Sequence, residues 1–210
     1  MILPVSKNAA LLALVALICV AILGLVNQLA QPRIAEQQLK NKLAILNDVL
    51  PQNRASESVL ADCILVTNEA LLGRATPQPI YRLREDEDIS AYVIETTAPD
   101  GYSGNIDLIV AVTPDGTILG SRVLNHQETP GLGDKIERRR SDWIDSFQGK
   151  QVSPDNKSRW AVKKDGGQFD QFTGATITPR AVVNAVYNAG LLVLKQPDLA
   201  SRPANCGAIQ

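Results

Sequence analysis

The sequence predicts an α+β domain, with antiparallel strands and a C-terminal helix, carried behind one N-terminal membrane-crossing helix. Three observations lead there. Residues 9–26, "AALLALVALICVAILGLV", hold no charge, and a bilayer-spanning helix needs roughly 18 or more such residues. Two runs rich in β-formers, 105–112 and 117–124, flank the turn "TPDG", which reads as an antiparallel hairpin. The remaining strands and helices follow with no βαβ rhythm, which excludes a parallel sheet wound with helices.

The apolar run comes first. A cleaved signal peptide has a shorter apolar region, about 7–15 residues, and a small-x-small cleavage site. Here "NQLAQP" follows, a poor cleavage site, so the run reads as a retained anchor over 9–29 behind a short N-terminus, 1–8. Orientation stays open. Lys7 precedes the span and Arg33, Lys40 and Lys42 follow it, which favours a cytoplasmic domain. Long domains, however, translocate largely regardless of that count.

Pro32 predicts a break. Over 33–50, Leu39, Leu43, Leu46 and Leu50 fall on one face of an amphipathic helix that Pro51 ends. Residues 30–55 are therefore a membrane-proximal helix, and 56–210 the domain proper. Its leucine face packs on its own domain or on a partner. The region up to about Asp88 is mixed. "AYVIETTA" (91–98) and "NIDLIVAV" (105–112) read as strands, "TILGSRVL" (117–124) as the return strand, and "WAVKK" (160–164) as one more. Thr178 suits a helix N-cap and Pro179 the first helical position. Val182, Val183, Val186 and Ala189 then give that helix an apolar stripe.

Composition narrows the function. Lys and Arg total 21 against 22 Asp and Glu, without the basic surplus that nucleic-acid binding calls for. The single histidine, His126, excludes a histidine-rich metal site and a histidine-based triad; it reads as a surface loop residue. Cys19 lies in the apolar span. Cys63 and Cys206 lie near the start and end of the domain, with no CxxC, so no metal site is indicated. The two are either free or paired, and pairing needs an oxidising compartment.

Two stretches look built for a ligand. "HQETPGLGDKIE" (126–137) sets Leu132 between Gly131 and Gly133 behind Pro130, a rigid turn whose backbone a ligand can approach closely. "DQFTGATITPRAVV" (170–183) gathers Thr173, Gly174, Ala175, Thr176 and Thr178 ahead of a helix start. These hydroxyls either cap the helix or hold a phosphate at its N-terminus. A P-loop is excluded, because the GK[ST] ending is absent.

Asp170-Gln-Phe-Thr173-Gly174-Ala175-Thr176 resembles the Dxx[ST]GA[ST] motif of proteins that carry FMN through a phosphoester to threonine. With "HQETPGLGDKIE", "APDGYSG" (98–104) and "DWIDSFQGK" (142–150), the chain resembles the G subunits of Rnf (Rsx) electron transport complexes. These are related to the C subunit of the sodium-pumping NADH:quinone reductase. The resemblance runs from the anchor almost to Cys206. It implies that Thr176 is the acceptor and that a separate flavin transferase attaches FMN there, with Asp170 part of the recognised motif. It implies a ring-side wall of Glu128, Thr129, Gly131, Leu132 and Gly133, with Thr173, Gly174 and Ala175 beside the phosphate. It places the domain in the periplasm and 1–8 in the cytoplasm, and favours a Cys63–Cys206 disulfide. It makes the chain an electron relay among the subunits of an ion-translocating inner-membrane complex, not a stand-alone enzyme. In some bacteria such a complex keeps a redox-sensing transcription regulator reduced. The competing readings are an anchored binding or assembly module without flavin, and an enzyme that binds FMN loosely.

Overall fold

The computed structural model describes residues 3–50, 56–86 and 88–206. The chain divides into two units, Met1–Lys42 and Leu43–Gln210. The expected α+β class is found: an apolar N-terminal helix, an antiparallel sheet and a C-terminal helix. Helix α1 runs from Leu3 to Val49. Within it, Leu11–Gln28 has a mean hydropathy of 2.5 and is wholly exposed, a segment long and apolar enough to cross a membrane. The break expected at Pro32 is absent, since the backbone stays helical through that position. A proline removes one i→i−4 bond at a cost of about 3 kcal/mol; here the apolar run before it and the Ala, Glu, Gln, Leu and Lys after it favour helix on both sides. Pro51, the expected terminator, lies outside the described residues.

The second unit is built on five antiparallel strands in chain order: β1 (Cys63–Val66), β2 (Gln78–Glu85), β3 (Asp88–Gly101), β4 (Gly104–Val112) and β5 (Ile118–Asn125). Two short helices, α2 (Glu57–Ala61) and α3 (Glu69–Leu72), flank β1. The hairpin read over 105–124 is β4–β5, with Val110 opposite Ser121. Alternation divides the sheet's side chains between two cores. On one face Ile80, Ile94, Leu108 and Val110 pack under α4 (Ile177–Lys195). On the other, Tyr81, Val93, Ile109 and Ala111 pack under Leu46, Val49 and Leu50 at the end of α1. The leucine stripe thus divides: Leu46 and Leu50 are core of their own domain, whereas Leu39 is exposed. Helix α4 is apolar enough to span a membrane by composition, but 72% of it is buried; it is the core helix of this domain.

Between β5 and α4 lies a long segment of turns and 3-10 helices. All three phenylalanines and both tryptophans of the chain lie there. Trp143 meets Phe147 and Phe172 edge-on at 5.3 and 5.0 Å, and Phe169 lies 4.6 Å from Phe147 and 5.2 Å from Trp160. Aromatic packing does here what a hydrogen-bonded ladder does elsewhere. The strand expected at 160–164 is not formed. Val162 makes a single bridge to Phe169, and Lys163–Asp165 is a 3-10 turn; the run is too short to pair and is held by the Trp160 ring.

The C-terminal residues are strapped to the β1–β2 end of the sheet. Cys63 and Cys206 are joined, with Cα atoms 5.5 Å apart. The Asn205 side chain accepts from Leu65 N at 2.7 Å, and Asn205 N donates to Cys63 O at 2.9 Å. Arg82, 3% exposed, donates to the carbonyls of Leu199, Ala200 and Arg202 and pairs with Asp62.

Candidate functional site

Two turns of the same type face each other at the N-terminal end of α4. In Thr129-Pro130-Gly131-Leu132, Leu132 N donates to Thr129 O at 3.1 Å, and Gly131 has φ +78°. In Phe172-Thr173-Gly174-Ala175, Ala175 N donates to Phe172 O at 3.2 Å, and Gly174 has φ +84°. A positive φ at the third residue marks a type II turn and explains both glycines. Between the turns lies a cavity of about 330 Å³. It is lined by Glu128, Thr129, Leu132 and Gly133 from the first turn, and by Gly174, Ala175 and Thr176 from the second. Ile177, Thr178 and Tyr102 complete it. Its volume is at the low end of the roughly 300–1,000 Å³ typical of ligand sites.

The expected site residues fall into two groups. Gly131, Thr173 and Asp170 do not line the cavity. Gly131 shapes the turn, and Thr173 is exposed. The Asp170 carboxylate faces outward, paired with Lys163 at 2.5 Å, while its carbonyl accepts from Trp143 Nε1 at 2.8 Å. Tyr102 and Ile177 were not legible as site residues. "APDGYSG" held the one signal for Tyr102, an aromatic at the tip of a glycine-flanked turn.

The three threonines have different roles. The helix begins at Ile177, not Pro179, so Thr176 occupies the N-cap position and Thr178 the first turn. This corrects the expected cap at Thr178. Thr178 is fully buried, and its hydroxyl donates to Glu128 Oε2; a carboxylate from another loop captures it more strongly than a backbone N–H does. Thr176 makes no capping hydrogen bond. Its half-buried hydroxyl opens on the cavity with no hydrogen-bond partner among the described residues. Pro179 falls at the third helical position, where the absent N–H removes nothing, because the first four have no intrahelical partner.

Glu128 is the buried tie of the site, 4% exposed. Its Oε1 accepts from Ser103 N at 3.0 Å in the β3–β4 hairpin, and its Oε2 accepts from Thr178 in α4. One carboxylate thus fixes three segments. His126 braces the same loop instead of facing solvent freely. Its Nδ1 accepts from Glu128 N at 3.0 Å, and its Nε2 lies 2.7 Å from Glu137. The Arg139 guanidinium, with His126 adding to it and outweighing burial, holds the Glu137 carboxyl down to about 2.

The lining suits a phosphorylated, largely apolar ring system. A helix of 19 residues directs unpaired N–H groups and a partial positive charge at the Thr176 position, worth about 0.3–1 kcal/mol for one anionic charge. Leu132, Ile177 and Tyr102 supply apolar and aromatic cover. No group of three or more His, Cys, Asp or Glu side chains fit for a metal occurs among the described residues.

The family model of the FMN-binding domain matches residues 101–190, and that of the RnfG N-terminal region matches residues 1–49. The G subunit of the ion-translocating oxidoreductase complex of Shewanella loihica is 47% identical over 203 residues, 96% of each chain. Its counterpart in Pseudoalteromonas atlantica is 50% identical over 187 residues, covering 89% of this chain and 87% of its own. The counterpart in Salmonella typhimurium is 49% identical over 203 residues, covering 97% and 98%.

Proposed function

The chain belongs to the family of G subunits of Rnf-type ion-translocating oxidoreductase complexes, and from that premise we propose that it carries FMN bonded through phosphate to Thr176. When bound, FMN supplies one- and two-electron redox chemistry. The chain positions it. The carrying observation is the Thr176 hydroxyl: alone among Thr173, Thr176 and Thr178 it both opens on the cavity and is unengaged.

Attachment exchanges a phosphoanhydride bond for a phosphoester. A flavin transferase moves the FMN phosphoryl group from FAD to Thr176 Oγ1; the pyrophosphate bond breaks, AMP leaves, and the hydroxyl proton is released. The phosphodiester keeps one negative charge, which the α4 N-terminus favours. Asp170, exposed beside the turn, is open to the transferase. Glu128, Thr129, Leu132 and Gly133 form the ring-side wall, with Gly131 and Gly174 shaping the two turns and Ala175 lining the phosphate side.

The chain is an electron relay among the complex's other subunits, its cofactor tethered so that it is not lost between turnovers. The domain, 56–210, lies in the periplasm, anchored by 9–29 through the membrane-proximal segment 30–55, with 1–8 in the cytoplasm. The joined Cys63 and Cys206 support that side of the membrane, since such bonds persist in oxidising compartments. In some bacteria the same electron traffic would help keep a redox-sensing transcription regulator reduced.

The test is co-expression of the full chain with a flavin transferase, followed by SDS denaturation and in-gel flavin fluorescence, with Thr176→Ala alongside. A fluorescent wild-type band and a dark mutant are expected, with an intact mass higher by one FMN less one water. Two dark bands, with the transferase active on a control protein, would make the chain a binding or assembly module. Colour lost on denaturation would indicate loosely held FMN, and two bright bands would move the acceptor to Thr173.

A further inference from the structure

His126 is the chain's only histidine, and its side chain is 10% exposed. Both ring nitrogens are engaged. Nδ1 lies 3.0 Å from Glu128 N, and Nε2 lies 2.7 Å from Glu137 Oε1. A backbone N–H can only donate, so Nδ1 offers its lone pair and the ring proton sits on Nε2. The acceptor of that proton, Glu137, is held also by Arg139. The ring thus stands between a donor on one side and an anion on the other. The cavity wall hangs on Glu128. Its carboxylate ties Ser103 N and Thr178. It also fits without clearance against two glycines: a Cβ at Gly101 would lie 3.0 Å from Glu128 Oε1, and one at Gly133 would lie 2.9 Å from Glu128 Cβ. A shift of Glu128 therefore moves the β3–β4 tip, the turn at 129–133, or both.

We propose that His126 is the positioning residue of this wall and makes it acid-sensitive: neutral, the ring accepts from Glu128 N and holds the wall closed; protonated, it loses that bond and the wall loosens. This rests on the function proposed above and deepens its site. The added proton comes from water and takes the Nδ1 lone pair. Imidazolium has two N–H donors and no acceptor. Nδ1–H then meets the Glu128 N–H, donor against donor, and one of them must turn away, leaving an N–H unpaired. Glu137 favours the charged ring, while the Glu128 N–H opposes it. The other charges of the loop are Lys135 and Asp134, the latter paired with Arg140. On adjoining elements, Arg122 of β5 pairs with Asp48 and Asp145, Asp107 of β4 with Arg74, and Arg180 of α4 with Asp165, while Asp100 of β3 is exposed. Both ring nitrogens are already taken by Glu128 and Glu137, so the switch is confined to these three residues.

The experiment uses the full chain, flavinylated by the transferase and free of any histidine tag, as wild type, His126→Gln and His126→Ala. Each is followed from about pH 7.5 to about pH 5.5, a span that brackets the ordinary imidazole value of about 6.5. Glutamine offers an acceptor and a donor but does not titrate. With one histidine in the chain, nitrogen NMR of the labelled imidazole reads its tautomer directly. The Nε2–H form is expected at the upper pH, and the Glu128 amide signal should shift as the ring takes its proton. Iodide quenching of the attached flavin should rise several-fold over the same span in the wild type. It should be flat with pH in both variants, and high throughout in His126→Ala. A flat wild-type profile, a pH step retained by His126→Gln, low iodide access in folded His126→Ala, or a neutral ring protonated on Nδ1 would each overturn the inference. If His126→Ala does not fold, the wild type and His126→Gln still decide it. A wild-type band dark in SDS would instead sink the covalent reading; the imidazole and amide signals, read on the flavin-free chain, would then decide the role of His126 alone.

Discussion

The two ends of α4 contrast. At its N-terminal end the chain leaves groups unused: the Thr176 hydroxyl, the first-turn N–H groups and the Tyr102 ring all meet a cavity. Past its C-terminal end, the strap over 197–206 uses what it has. Arg82 gathers three carbonyls, Asn205 pairs with the edge of β1, and Cys206 is bonded to Cys63. On the proposed function, stability and function are separated along one helix. The strap secures the fold, and the open end can remain incompletely satisfied until a ligand completes it.

Breaking the strap should have the largest effect. Cys63 and Cys206 are 143 residues apart, and a closed loop of that length contributes about 4–5 kcal/mol on the chain-entropy model. Paired Cys63→Ser and Cys206→Ser changes should lower the denaturant midpoint accordingly, while the protein still accepts flavin below its new melting temperature. Arg82→Met leaves Asp62 and three carbonyls short of a donor, at about 2–3 kcal/mol, measured by urea unfolding; Arg84 still pairs with Asp62, which limits the loss.

The open end should respond more weakly. Glu128→Ala strands the Ser103 N–H and the Thr178 hydroxyl, at about 1–3 kcal/mol, measured by urea unfolding. Acid should loosen the 126–137 loop. The Glu137 carboxyl is depressed from 4.5 to about 2, so its contribution is present in full above its unfolded value and is lost as pH falls through that window. Glu137→Gln should flatten that part of the pH–stability curve. Thr176→Ala should change the unflavinylated protein by no more than about 0.5 kcal/mol; a larger loss would make Thr176 a structural cap and blur the contrast between the ends.

The contrast was only half legible in the sequence. The strands β3, β4 and β5 show their alternation and a "TPDG" turn, and the motif around Thr176 is local. β1 is four residues long, and β2 carries Pro79, Arg82, Arg84 and Glu85, so neither looks like a strand. Arg82 reads as a surface cation until the fold brings carbonyls more than a hundred residues away to it. Thr178 looked like a cap because capping is a local rule, whereas its real partner, Glu128, lies 50 residues earlier. Tyr102 belongs to the site only because a hairpin reaches across to α4. What escaped the sequence was long-range satisfaction of polar groups, which no local pattern records.

The aromatic cluster before α4 has an optical consequence. Trp143 and Trp160 are the chain's only tryptophans; Trp143 touches Phe172 and bonds to the Asp170 carbonyl, immediately ahead of the turn that bears Thr176. Tryptophan emits where oxidised flavin absorbs. The domain thus holds energy donors beside the place where an acceptor would be attached, and its ultraviolet emission should fall in step with flavin loading, giving a gauge of occupancy that needs no added dye.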